Sequence, residues 1–150
     1  MKLRKGFTLV ELLIVIVIIG ILAAAMMLSS GSATDSAEAS NIVSDLRNLK
    51  SASMLFFMGS MDEINGGHVP TMTDLAQFSD NPDKYTAAGS GFSVSIAPSG
   101  QWSLGFDGSV MSRTGVQTRL TSRAASVGLF SDQALTTQYA GGNAVYMIGR

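Results

Sequence analysis

Glu11 lies in the run Gly6-Phe7-Thr8-Leu9-Val10-Glu11-Leu12-Leu13-Ile14-Val15-Ile16-Val17-Ile18-Ile19-Gly20-Ile21-Leu22 and is the single charged residue between Lys5 and Asp35. On insertion scales, an acidic side chain in an apolar stretch of membrane length costs about 2.5–3.5 kcal/mol, so an acid placed there has a partner and a purpose. A plain anchor has no use for it. The chemistry implied is ion pairing away from water, where an unpaired charge is strongly unfavourable and a cation brought into register is held.

The rest of the chain offers little for catalysis. His68 is the only histidine and sits in Asn65-Gly66-Gly67-His68-Val69-Pro70, a turn-rich loop where a solvated or structural role is expected. No Gly-x-Ser-x-Gly turn is present, so a hydrolase triad has no support. Asp80, Asp83, Asp107 and Asp132 carry oxygen ligands, but they are scattered and no EF-hand loop joins them. They read as solvated loop carboxylates. The nine methionines, Met26, Met27, Met54, Met58 and Met61 among them, read as packing and lipid-facing residues rather than a copper site. The expectation is therefore a non-enzyme with neither cofactor nor metal.

The segment that positions Glu11 is long enough to span a bilayer, since about 20 residues at 1.5 Å rise cover roughly 30 Å of hydrocarbon. Lys2, Arg4 and Lys5 precede it. Cations in a short N-terminal loop predict a cytoplasmic N-terminus, with everything beyond about Ser29 exported. Two plainer readings compete. A secretory signal peptide would be cut near Ala23-Ala24-Ala25, but Glu11 spoils its apolar region. A single-span anchor carrying an exported enzyme or binding module leaves Glu11 unexplained.

The residues Gly6-Phe7-Thr8-Leu9-Val10-Glu11, with the basic leader before them and the apolar run after, resemble the class III signal sequence of type IV pilins and their relatives. The resemblance covers roughly the first 30 residues. It implies cleavage between Gly6 and Phe7 by a prepilin peptidase, N-methylation of Phe7, and retention of the apolar helix on the mature protein. Cleavage creates an α-amine that is cationic below a pKa of about 8. Phe7 and Glu11, four apart, can share a helix face, but a neighbouring subunit can also present its amine. The family uses the neighbour, which makes Phe7 and Glu11 the assembly residues. The resemblance further implies a homopolymer built through N-terminal helices, an inner-membrane platform protein and a cytoplasmic assembly ATPase. The implied route runs from a single-pass inner-membrane precursor to an extracellular pilus filament. The alternative within the family is a pseudopilin of a type II secretion or competence system. Some pseudopilins hold calcium in a C-terminal loop, and no dense acidic loop is present here.

Composition fits a small exported subunit. The leader holds three of the ten basic residues, so cleavage leaves seven against eleven acids, a formal charge of −4 without a basic run. Arg113, Arg119, Arg123 and Arg150 stand apart, and nucleic-acid binding is not expected. Cysteine is absent. Many pilins close a C-terminal loop with a disulfide, so the lock here must be packing, with Tyr139, Val145, Tyr146 and Ile148 proposed as a final strand.

Beyond the apolar run, Asp35 to Met58 continues with helix formers and no proline. Ile42, Leu46, Leu49 and Phe56 recur on one face, with Asp35, Glu38, Asp45 and Arg47 elsewhere. Gly20 and Gly31, with Ser29-Ser30, are points of helix flexibility, and Gly20 with Ala23 to Ala25 also suits close helix packing. Thr73 reads as the cap of a short helix ending at an Asn81-Pro82 break. Phe92-Ser93-Val94-Ser95-Ile96 and Trp102-Ser103-Leu104-Gly105-Phe106 alternate around Pro98-Ser99-Gly100, an antiparallel hairpin. A second helix is expected over Val116 to Leu129, and a last strand over Asn143 to Ile148. The fold class is α+β and type IV pilin-like, a long N-terminal helix packed on a small antiparallel sheet. The expected divisions are a leader at 1–6, a transmembrane and polymerisation helix at 7–28, its amphipathic continuation at 29–58 and a globular head at 59–150.

Overall fold

In the computed structural model, residues 6–60, 68 and 70–150 are described, side chains at 28–30 excepted. Lys2, Arg4, Lys5, Met61, Asn65 to Gly67 and Val69 lie outside the described residues. The chain falls into two units, Met1–Thr34 and Asp35–Arg150. Helix α1 covers Leu9–Gly59, one residue beyond the expected end at Met58. It starts at Leu9 rather than Phe7, because Thr8 caps it.

In the first unit the apolar side chains are exposed all round. Ile14, Ile16, Ile18 and Ile19 each keep more than half their surface. A helix apolar on every side needs lipid or other helices as its surroundings, and this one is long and apolar enough to cross a membrane.

The second unit has a single core. From α1 come Ala39, Ile42, Val43, Leu46, Leu49, Ala52 and Phe56, the face anticipated from spacing. Against them lie Trp102, Leu104 and Phe106 of one strand and Val145 and Met147 of another. Strands β1 (Phe92–Ile96), β2 (Trp102–Phe106), β3 (Leu129–Phe130) and β4 (Val145–Ile148) form one antiparallel sheet in the order β1-β2-β4-β3. The β1–β2 hairpin pairs Phe92 with Phe106 and Ile96 with Trp102. Its turn closes through the Gly100 N–H donating to the Ala97 carbonyl at 2.8 Å, with Gly100 at φ +81°.

Four expectations are corrected. The short helix α2 is Met72–Ala76, capped by Thr71 and not Thr73. Asp74 is the reason: three residues after Thr71, it closes a capping box with that hydroxyl. Asn81-Pro82 is not a break but a helix start, with Asn81 as cap and proline in the first turn of α3 (Pro82–Thr86). Helix α4 is Thr114–Val127, and Leu129 belongs to β3 because Gly128, at φ +77°, turns the chain out of the helix. Finally, the last strand starts at Val145 rather than Asn143, and Tyr139 stands outside it, buried, its hydroxyl donating to the Gly142 carbonyl at 2.9 Å.

The head is closed without a covalent staple. The Trp102 N–H donates to the Arg150 carbonyl at 3.0 Å, and the Gly149 N–H to the Trp102 carbonyl at 2.7 Å. Ser53 of α1 donates to the Gly149 carbonyl at 3.0 Å. The Arg150 guanidinium stacks on Phe57, 3.4 Å from the ring centre. These contacts act beside β4, which holds Val145, Tyr146 and Ile148 of the expected final strand.

Candidate functional site

The first turn of α1 builds the site. Thr8 is the last residue before the helix, and its Oγ1 accepts from the Glu11 N–H at 3.2 Å. The Glu11 carboxylate returns to Thr8, accepting from its N–H at 2.8 Å and its hydroxyl at 2.7 Å through Oε2. This is a reciprocal capping box, in which each residue satisfies a donor the helix end leaves open. Glu11 is also a negative charge in the first turn, where the helix dipole favours it.

Gly6 and Phe7 lie before the helix, and Phe7 is 85% exposed. The i, i+4 argument for Phe7 and Glu11 therefore does not apply to this form of the chain. With Gly6 attached, the Phe7 nitrogen is an uncharged amide, and the carboxylate is taken by Thr8. Sequence reasoning missed Thr8 as a functional residue. The signal was present as Thr8-Leu9-Val10-Glu11, the T-x-x-E spacing of a capping box ahead of an apolar run. Gly20 and Gly31 both lie within α1, and a Cβ at either would meet nothing within 4 Å.

Residues 1–27 match the prokaryotic N-terminal methylation motif. This motif is the class III signal of type IV pilins and pseudopilins, and it places the sequence resemblance on a family model that includes Gly6, Phe7 and Glu11. The long helix packed on a four-stranded antiparallel sheet is consistent with the pilin-like α+β fold. No curated protein and no solved structure matches the chain.

The head adds charged contacts of another kind. Asp45, expected on the polar side of α1, is buried, and Lys84 of α3 reaches it at 2.6 Å while the Tyr85 hydroxyl lies at 3.4 Å. Burial pushes the Tyr85 hydroxyl up, with the Asp45 charge acting the same way. Asp35 pairs with Arg113 immediately before α4. His68 stands 3.5 Å from Asp74, whose carboxyl is held below its usual range chiefly by the Thr71 hydroxyl. Asp132 is held low by the backbone N–H groups of Thr136 and Thr137. Among the described residues no three His, Asp or Glu side chains converge as a metal site would require. In the groove lined by Asn48, Ser79 and Asp80, the Asp45 carboxylate is bonded to Lys84 and Tyr85 and to no serine hydroxyl. The motif match is confined to residues 1–27, the segment that holds Gly6, Phe7, Thr8 and Glu11.

Proposed function

We propose that this chain is the structural subunit of a type IV pilus-like extracellular filament. It is made as an N-in, single-pass inner-membrane precursor, cut between Gly6 and Phe7, methylated at Phe7, and polymerised through its N-terminal helix. The observation that carries the reading is the apolar helix of residues 9–27, exposed on every side, with one carboxylate in its first turn, under a methylation-motif match. The exposed apolar surface calls for helices of other copies once lipid is left behind. Glu11 then exchanges Thr8 for the α-amine of a neighbour, since a desolvated carboxylate is better satisfied by a full cation than by a hydroxyl. A prepilin peptidase, a platform protein and an assembly ATPase are the partners this route requires, and Gly20 and Gly31 are where the helix yields during packing.

Intact mass and N-terminal sequence of the protein in material sheared from cells, measured beside the membrane pellet, test the proposal. N-methyl-Phe7 in abundant sheared fibres is the expected result. The same start confined to membranes would assign the chain to a pseudopilin role, and a start beyond Ala25 would overturn the filament reading.

A further inference from the structure

The order β1-β2-β4-β3 leaves β1 and β3 as edges. β3 is two residues long, and Phe130 is bridged on its outer side by Gln138. β1 is five residues long, and among the described residues no strand pairs with its outer side. Its bonds to β2 are made at odd positions, with the Gly91 carbonyl accepting from Asp107 at 2.9 Å and the Ala97 N–H donating to Gln101 at 2.8 Å. The strand period of two then turns the backbone groups of Phe92, Val94 and Ile96 outward, where the Phe92 N–H donates to the Ser90 hydroxyl at 3.4 Å and the groups of Val94 and Ile96 meet no described backbone partner. α2 comes close to β1, but none of its backbone groups is bonded there.

Natural edge strands are guarded against pairing by charges, prolines, bulges or brevity. None of these lies within β1, and no charged residue occurs anywhere between Lys84 and Asp107. The strand is also self-complementary. Placed antiparallel to itself about Val94, it sets Ser93 opposite Ser95 and Phe92 opposite Ile96, hydroxyl beside hydroxyl and apolar beside apolar. Ile96, 44% exposed, gains the partner's aromatic ring as cover.

We propose that β1 pairs edge to edge with β1 of a second copy, extending the sheet across two heads. The contact is isologous, so it closes on a two-fold axis and does not propagate a helical filament. It joins one filament to another. A filament repeats the edge at every subunit, so a pairing too weak to hold two free heads becomes strong through multivalency. The lateral role rests on the filament reading above, whereas the pairing itself does not.

The test uses the full chain carrying Ser93→Cys in one preparation and Ser95→Cys in another. In the proposed register these positions form a non-hydrogen-bonded pair about 4.5 Å apart at Cα, within disulfide reach. The chain has no cysteine of its own, so any covalent dimer reports the introduced pair. Oxidation of the mixture is expected to give at least tenfold more dimer than either variant alone or than a Ser126→Cys control on α4. No dimer in the mixture, or equal dimer from the single variants, overturns the register and the proposal. The mixture is prepared both as sheared fibres and as detergent-solubilised chain. Failure of the wild type to yield fibres would count against the filament reading, while the solubilised mixture still reports the pairing. In fibres, Ile96→Lys is expected to reduce low-speed pelleting several-fold, and unchanged pelleting would remove the lateral role.

Discussion

Glu11 is bonded to Thr8 in the capping box, and on the proposed route it later meets a neighbour's amine; the two partners make different demands on its side chain. The capping box needs an acceptor of the right length, which glutamine also supplies, whereas pairing with an amine needs the charge. Glu11→Gln is therefore expected to leave processing and helix intact while reducing the yield of sheared filament at least tenfold. Wild-type yield from that variant would remove the pairing argument. Asp74 gives a second prediction at this scale. Its folded pKa lies below the unfolded value of about 3.9. The stability it adds is complete above that value and is lost as pH falls through the lower folded one. Unfolding followed from pH 5 down to pH 2 should show the advantage of the wild type over Asp74→Asn shrinking, and a constant gap would refute the linkage. Thr8-x-x-Glu11 and Thr71-x-x-Asp74 stand in the sequence as local capping spacings, yet the reading passed over Thr8 and put the second cap at Thr73. The burial of Asp45 was not, since Lys84 and Tyr85 stand 39 and 40 residues away along the chain.

Elements were readable where their periodicity was long. The buried face of α1 and the β1–β2 hairpin both followed from spacing, and each repeats its pattern several times. β3 was not readable: with two residues it has no alternation to detect, and its pairing with β4 is decided by the core beneath Leu129 and Met147. Shifted boundaries at α2 and α4 trace to Asp74 and Gly128, single residues that outweigh the apolar pattern around them. Two substitutions probe the α1 packing. Leu46→Ala removes a side chain with no exposed surface and is expected to cost about 2–5 kcal/mol, read by denaturant unfolding in detergent. Gly115→Ala would place its methyl carbon against the Asp35 carboxylate, the partner of Arg113. A loss of about 1–3 kcal/mol is expected, as for other overpacked sites, and an unchanged midpoint would show that Asp35 swings away freely.

At the scale of the whole molecule, the absence of cysteine moves the task of holding the tail to Ser53, Trp102 and Arg150. Arg150→Ala is expected to cost about 0.5–1 kcal/mol through lost stacking on Phe57, visible as a thermal midpoint lower by a few degrees. The start of α1 carries a different consequence. Its first backbone bond, from the Leu12 N–H to the Thr8 carbonyl, lies wholly beyond the Gly6–Phe7 peptide. Cutting that peptide opens no helical hydrogen bond, so the precursor is a finished part rather than an immature one. On the proposed route a pool of folded subunits waits in the bilayer and is released for assembly by a change in electrical character alone: three leader cations leave, and one new amine appears for Glu11 of another copy.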